Sequence, residues 1–131
     1  MSDGEAKLIN LAFRVGSVAE AEALVESTGG WSKRAMHDID GEQFLEARFG
    51  GISINFFETA LYDGKNVPSA GGFLHASFAV PSLAAILENP DWNARLIWGP
   101  STIRGGFGHR RIAFFEPLPG CRIELMEEID D

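Results

Sequence analysis

The sequence holds a single cysteine, Cys121, among its 131 residues. That excludes an internal disulfide framework and a multi-cysteine zinc site. It also lacks an excess of basic residues. The formal net charge is −8, and binding to phosphate backbones relies on basic patches, so nucleic acid is not an expected partner. The same charge suits a cationic ligand, or simply solubility. No apolar run approaches the roughly 20 residues needed to span a bilayer. The opening Met1-Ser2-Asp3-Gly4-Glu5-Ala6-Lys7 has neither the basic start nor the apolar stretch of a secretory signal. The expectation is a cytoplasmic protein with no membrane partner. The composition that remains, 45% hydrophobic and 23% charged, is that of an ordinary globular protein. Its length fits one domain over 1–131, or two half-sized modules sharing a core.

Periodicity and turn residues give an ordered series of elements. Leu8–Val15 is apolar, β-branched and aromatic, and reads as a strand. Ser17-Val18-Ala19-Glu20 is a capping box that opens a helix over Ser17–Thr28, with Val18, Ala21, Leu24 and Val25 on its apolar face and Gly29-Gly30 at its end. Strands are expected near Ser32–Ile39, Glu42–Phe49 and Gly51–Glu58, with turns at Gly41 and Gly50-Gly51. Residues 61–72 form a polar, glycine-bearing linker. The order then repeats: strand Phe73–Val80, a helix from Pro81-Ser82 to about Glu88, and strands near Ala94–Trp98, Arg110–Phe115 and Arg122–Glu127. Glycine-rich Pro100–Gly108 reads as a mobile loop. The two halves, 8–60 and 73–128, align with low identity but matching order, so that Asn10 falls on His75 and Asn55 on Glu124. The fold class is α+β, two tandem βαβββ modules.

Strand Leu74-His75-Ala76-Ser77-Phe78-Ala79-Val80 running into Pro81-Ser82-Leu83-Ala84-Ala85-Ile86-Leu87 resembles the opening of a vicinal oxygen chelate module. The ending Gly108–Glu128, with its Glu116-Pro117-Leu118-Pro119-Gly120 turn and Ile123-Glu124-Leu125, is similar to that superfamily's final hairpin. The resemblance to this glyoxalase, bleomycin-resistance and dioxygenase superfamily covers about residues 8 to 127. It implies an open, cup-shaped mixed sheet around a small molecule, and commonly a homodimer. It also implies a metal-ligand histidine on the first strand of each module and a glutamate or glutamine on the last. Carried onto this sequence, those places hold His75 and Glu124 in the second module, and Asn10 and Asn55 in the first. The cofactor implied is one divalent metal (zinc, nickel, manganese or iron) on His75 and Glu124, with Glu124 doubling as a catalytic base. A site with no metal stays open.

Alternation along the strands places Leu8, Asn10, Ala12 and Arg14 on the concave face, together with Ser53, Asn55 and Phe57, Phe73, His75 and Ser77, and Arg122, Glu124 and Met126. Asn10, Arg14, Asn55, Phe57, Ser77 and Arg122 are therefore the expected ligand contacts. Arg14 and Arg122 either hold a carboxylate or phosphate or pair with acids such as Glu124. His109 is a lid residue or a solvated loop histidine, and His37 has no assigned role. Trp31, Trp92 and Trp98 line the cup or a dimer interface or belong to the core, the core being the expectation for at least two of them, and Cys121 is a small buried apolar residue. Two functions remain open. One is a glyoxalase-like lyase or isomerase, or an epimerase of a small carbonyl or thioester compound. The other is a non-catalytic protein that sequesters a drug or metabolite.

Overall fold

The computed structural model describes residues 6–65, 67, 71–105 and 108–129. The chain runs β1 (Lys7–Arg14), α1 (Val18–Ser27), β2 (Trp31–Ile39), β3 (Glu42–Phe49), β4 (Ile52–Phe57), β5 (Gly72–Ala79), α2 (Leu83–Glu88), α3 (Pro90–Asn93), β6 (Leu96–Gly105), β7 (Gly108–Leu118) and β8 (Cys121–Glu128). The strands form one eight-stranded mixed sheet in the order β2-β3-β4-β1-β5-β8-β7-β6. Each module is one half of that order. Its first strand pairs parallel with its last, β1 with β4 and β5 with β8, and the two modules join through the antiparallel β1–β5 pair. The end strands β2 and β6 touch, so the sheet curls into a cup.

The duplication extends to the way the helices are held. Ser17 and Ser82 cap α1 and α2, accepting from the amides of Glu20 and Ala85. The acid at the end of each module's last strand accepts from that module's first helical amide: Glu58 from Val18 at 2.8 Å, and Glu127 from Leu83 at 3.0 Å. A carboxylate there satisfies an amide that has no partner within the helix and complements the helix dipole. Ser17→Ala should cost about 1 kcal/mol of stability, read as a lower urea midpoint with an unchanged slope.

One apolar cluster lies under each helix. Val18, Ala21 and Val25 pack on Leu45, Ala47 and Phe56, and Leu83 and Ile86 pack on Ala113, Phe115 and Leu125. Trp31, Trp92 and Trp98 are half-buried, each packed against a separate cluster rather than within it. Leu24, expected on the buried face of α1, is 51% exposed. Cys121 is also exposed, because it is the first residue of β8, just past the Pro119-Gly120 turn at the sheet's end.

A further expectation is corrected. The stretch read as a mobile loop is mostly strand: β6 runs unbroken through Gly105, with residues 106–107 outside the described set. Its proline is tolerated because β6 is an edge strand and its register shifts between Trp98 and Ser101. Gly99 is required there. Its φ is +91° and a Cβ would sit 2.8 Å from the Ile112 carbonyl oxygen. Residues 66 and 68–70 lie outside the described set, but Leu61, Tyr62 and Asp63 fold into the cup. No helix among the described residues is long and apolar enough to cross a membrane.

Candidate functional site

The hollow of the cup is a cavity of about 270 Å³ reached by both modules. Strand register shows how its floor is assembled. Asn10 on β1 lies between Ser53 on β4 and Ser77 on β5, and Ser77 pairs with Glu124 on β8. Two residues along, Ala12 lies between Asn55 and His75. Directly paired residues share a face, so Asn10, Asn55, His75 and Glu124 all look into the hollow. All four line it, and Phe57 does too. The chain therefore brings both modules' sites together without a second copy.

On the second-module side, Ser77 Oγ donates to Glu124 Oε1 at 2.5 Å. His75 Nε2 lies 3.4 Å from that same oxygen, and its Nδ1 lies 2.5 Å from Asp63 Oδ2. The imidazole stands edge-on to Phe114, ring centres 4.8 Å apart. Burial by itself pushes the His75 pKa down. The hydrogen bonds and negative charges of Asp63 and Glu124 overcome that and raise it to about 9. A folded-state pKa above the ordinary 6.5 stabilises the fold fully at pH below about 6.5, and this stabilisation is lost as pH rises through about 9. In metal-free protein it should reach up to about 3 kcal/mol. Urea midpoints at pH 6, 7.5 and 9 should fall in that order, and His75→Gln should flatten the trend.

The first-module side carries a matching group that sequence reasoning missed. Glu46 on β3 accepts from Ser53 Oγ through Oε2 at 2.7 Å, and its Oε1 lies 2.8 Å from His37 Nε2. Both Glu46 and His37 line the hollow, with Phe44 stacked on Phe57 at 4.6 Å. Two serine–glutamate–histidine groups, one per module, thus face one space. Arg110 and Ile103 also line it. Tyr62 stacks on Trp98 with ring centres 4.0 Å apart and hydrogen-bonds Asp40 through its hydroxyl. Burial and Asp40 raise its pKa.

Three expected contacts are placed elsewhere. Bulges in β1 break the alternation on either side of Asn10, so Ile9 lines the hollow, Leu8 is exposed, and Arg14 donates Nε to the Glu58 carbonyl at the strand's end. Arg122 is 3% exposed and does not line the hollow. It donates to the carbonyls of Leu74 (2.6 Å) and Phe73 (2.9 Å) and lies 4.0 Å from both Asp63 Oδ2 and Glu116 Oε2. Ser77 is wholly buried, and its hydroxyl donates to Glu124. His109 sits on β7 beside Arg104 instead of in a loop.

The donor set can be tested against a divalent cation. Among the described residues no three His, Cys, Asp or Glu side chains group as metal ligands. Asn10 Oδ1 and Asn55 Oδ1, however, are buried with no hydrogen-bond partner. Leaving a buried acceptor unpaired costs about 1–3 kcal/mol, which a cation or a ligand's donor group would recover. His75 also has the carboxylate on Nδ1 that metal-ligating imidazoles ordinarily carry. One imidazole, one carboxylate and two amide oxygens suit a hard, oxygen-preferring divalent ion such as Mn²⁺.

The sequence matches no protein-family model and no curated protein. Its structure is similar to that of a hypothetical protein from Bacillus halodurans C-125, at TM-score 0.72 and 19% identity over 96% of each chain. It is also similar to methylmalonyl-CoA epimerase from Mycobacterium tuberculosis, at TM-score 0.70 and 18% identity over 99% of this chain and 93% of that one. A third similar structure is a glyoxalase/bleomycin resistance protein/dioxygenase superfamily member from Vibrio splendidus 12B01, at TM-score 0.64 and 7% identity over 95% and 99% of the two chains. The chain therefore has the vicinal oxygen chelate fold, that of the glyoxalase/bleomycin resistance protein/dioxygenase superfamily.

Proposed function

We propose that the protein is an isomerase that moves a proton at the carbon next to a carbonyl in a small acyl compound. One observation carries this reading: Glu46 and Glu124, from different modules, face one hollow, each hydrogen-bonded by a serine and flanked by a histidine. One side chain, as its carboxylate, takes the α-proton and leaves its electron pair as an enolate. The other, as its carboxylic acid, gives its own proton to the opposite face and inverts the carbon, so the two exchange protonation states in each turnover. Ser53 and Ser77 orient the two carboxylates by hydrogen bonds that do not move during transfer. Aromatic walls at Phe44, Phe57 and Phe114 exclude water from the reacting carbon. A divalent cation held by His75, Glu124, Asn10 and Asn55 would supply Lewis-acid polarisation of the carbonyl oxygen.

Acyl thioesters are the substrate class of choice, since several similar structures carry the name methylmalonyl-CoA epimerase. The test is α-proton exchange in D₂O, followed by proton NMR with methylmalonyl-CoA and short 2-methyl acyl thioesters, with and without Mn²⁺. Loss of the α-proton signal supports the reading; no exchange with any of them removes it. A second reading, sequestration of a cationic compound, is favoured by the acids beside the stacked Phe44 and Phe57. It expects salt-sensitive binding and no exchange.

A further inference from the structure

The segment joining the two modules contributes one buried acid to the hollow. Asp63 is 2% exposed and lines the cavity. A buried carboxylate without compensation costs several kcal/mol, and here it is met on two sides. His75 Nδ1 lies 2.5 Å from Oδ2, and Arg122 Nε lies 4.0 Å from the same oxygen. The arginine is itself pinned by the carbonyls of Phe73 and Leu74, the two residues preceding His75. The preceding linker residue, Tyr62, is held between Trp98 of the second module and Asp40 of the first. The acid is thus fixed from both modules at once.

We infer that Asp63 is a positioning residue that holds the His75 ring with Nε2 turned into the hollow, an inference that rests on the cation-holding part of the site reading. With Nδ1–H donated to Asp63, the ring cannot turn over. Its second nitrogen then stays on the side of Glu124, 3.4 Å away. Without the acid, the ring can rotate about χ2 and the Nε2 lone pair leaves the donor set. The competing explanation is that Asp63 serves only to neutralise buried Arg122.

Mn²⁺ binding to the full chain, followed by loss of the free-ion EPR signal, separates the two. Asp63→Ala should weaken Mn²⁺ binding about 10–100-fold. Asp63→Asn keeps an acceptor for Nδ1–H and should fall between it and wild type. The double variant Asp63→Leu/Arg122→Met removes both buried charges and should recover part of the thermal stability lost in Asp63→Ala, the carbonyls of Phe73 and Leu74 being left without their donor, while Mn²⁺ binding stays weak. Recovery of wild-type affinity in the double variant would assign Asp63 to charge compensation alone and overturn the inference. So would a wild-type protein that fails to bind Mn²⁺, or an Asp63→Ala variant that binds as tightly as wild type. None of these outcomes depends on α-proton exchange, so failure here and failure of the isomerase reading are distinguishable.

Discussion

Assayed without added metal, so that no cation ligand is lost with the carboxylate, Glu46→Gln and Glu124→Gln will each abolish interconversion of the two α-epimers while leaving exchange of one epimer's proton largely intact. The asymmetry follows from the placement of the two carboxylates on different modules. In the proposed reaction each faces one side of the reacting carbon, so each would remove the proton from only one epimer. Glutamine has the same shape and still accepts from Ser53 or Ser77, so the hollow should keep its form. It has no basic oxygen, however. Loss of a positioned acid or base typically costs 10²–10⁴-fold, and interconversion needs both groups. Circular dichroism follows interconversion, and NMR in D₂O follows exchange from each epimer separately. Equal loss of exchange from both epimers in a single variant would mean that one carboxylate does all the work.

Arg122→Met should lower stability by about 3–5 kcal/mol, the usual cost of removing one member of a buried charge cluster. In a chain of this size that corresponds to a fall in Tm of roughly 10–15 °C. Three losses combine. The carbonyls of Phe73 and Leu74 lose their donors, Asp63 loses its nearby cation, and Glu116 loses a charge 4.0 Å away. An arginine that anchored a ligand would behave differently, raising KM and leaving the melting temperature alone. Arg14, tied to a carbonyl at the exposed end of β1, is the internal contrast. Arg14→Met should move stability by no more than about 0.5 kcal/mol.

The repeat was legible because strand alternation and chain order survive when identity is lost. Alternation put Asn10, Asn55, His75 and Glu124 on the concave face of inner strands, and the resemblance to the superfamily singled them out among the residues there. The missed pair, His37 and Glu46, had a signal in the turns. Asp40-Gly41 and Gly50-Gly51 are two-residue hairpin turns with positive φ at both positions, and such turns fix register. Counting back from Gly50-Gly51 sets Glu46 opposite Asn55, and counting from Asp40-Gly41 sets His37 opposite Phe44. Other features had no local signal. The bulges that turn Ile9 inward and displace Leu8 from the expected face come from the β1–β5 junction, a contact between residues far apart in sequence. Asp63 looked like one more acid in a polar linker, and its burial depends on how that segment falls across both modules. Arg122 kept the alternation of Glu124 and Met126, but the linker and the ends of β5 and β7 cover that part of β8.

The central claim is that the two carboxylates flank a reacting carbon inside the cup. A crystal structure of the protein with a stable enolate mimic of a short acyl thioester tests it most directly. The mimic's planar carbon should lie between Glu46 and Glu124, about 3–3.5 Å from a carboxylate oxygen on each face. A mimic bound outside the hollow, or one with both carboxylates on the same side of its plane, would contradict the account.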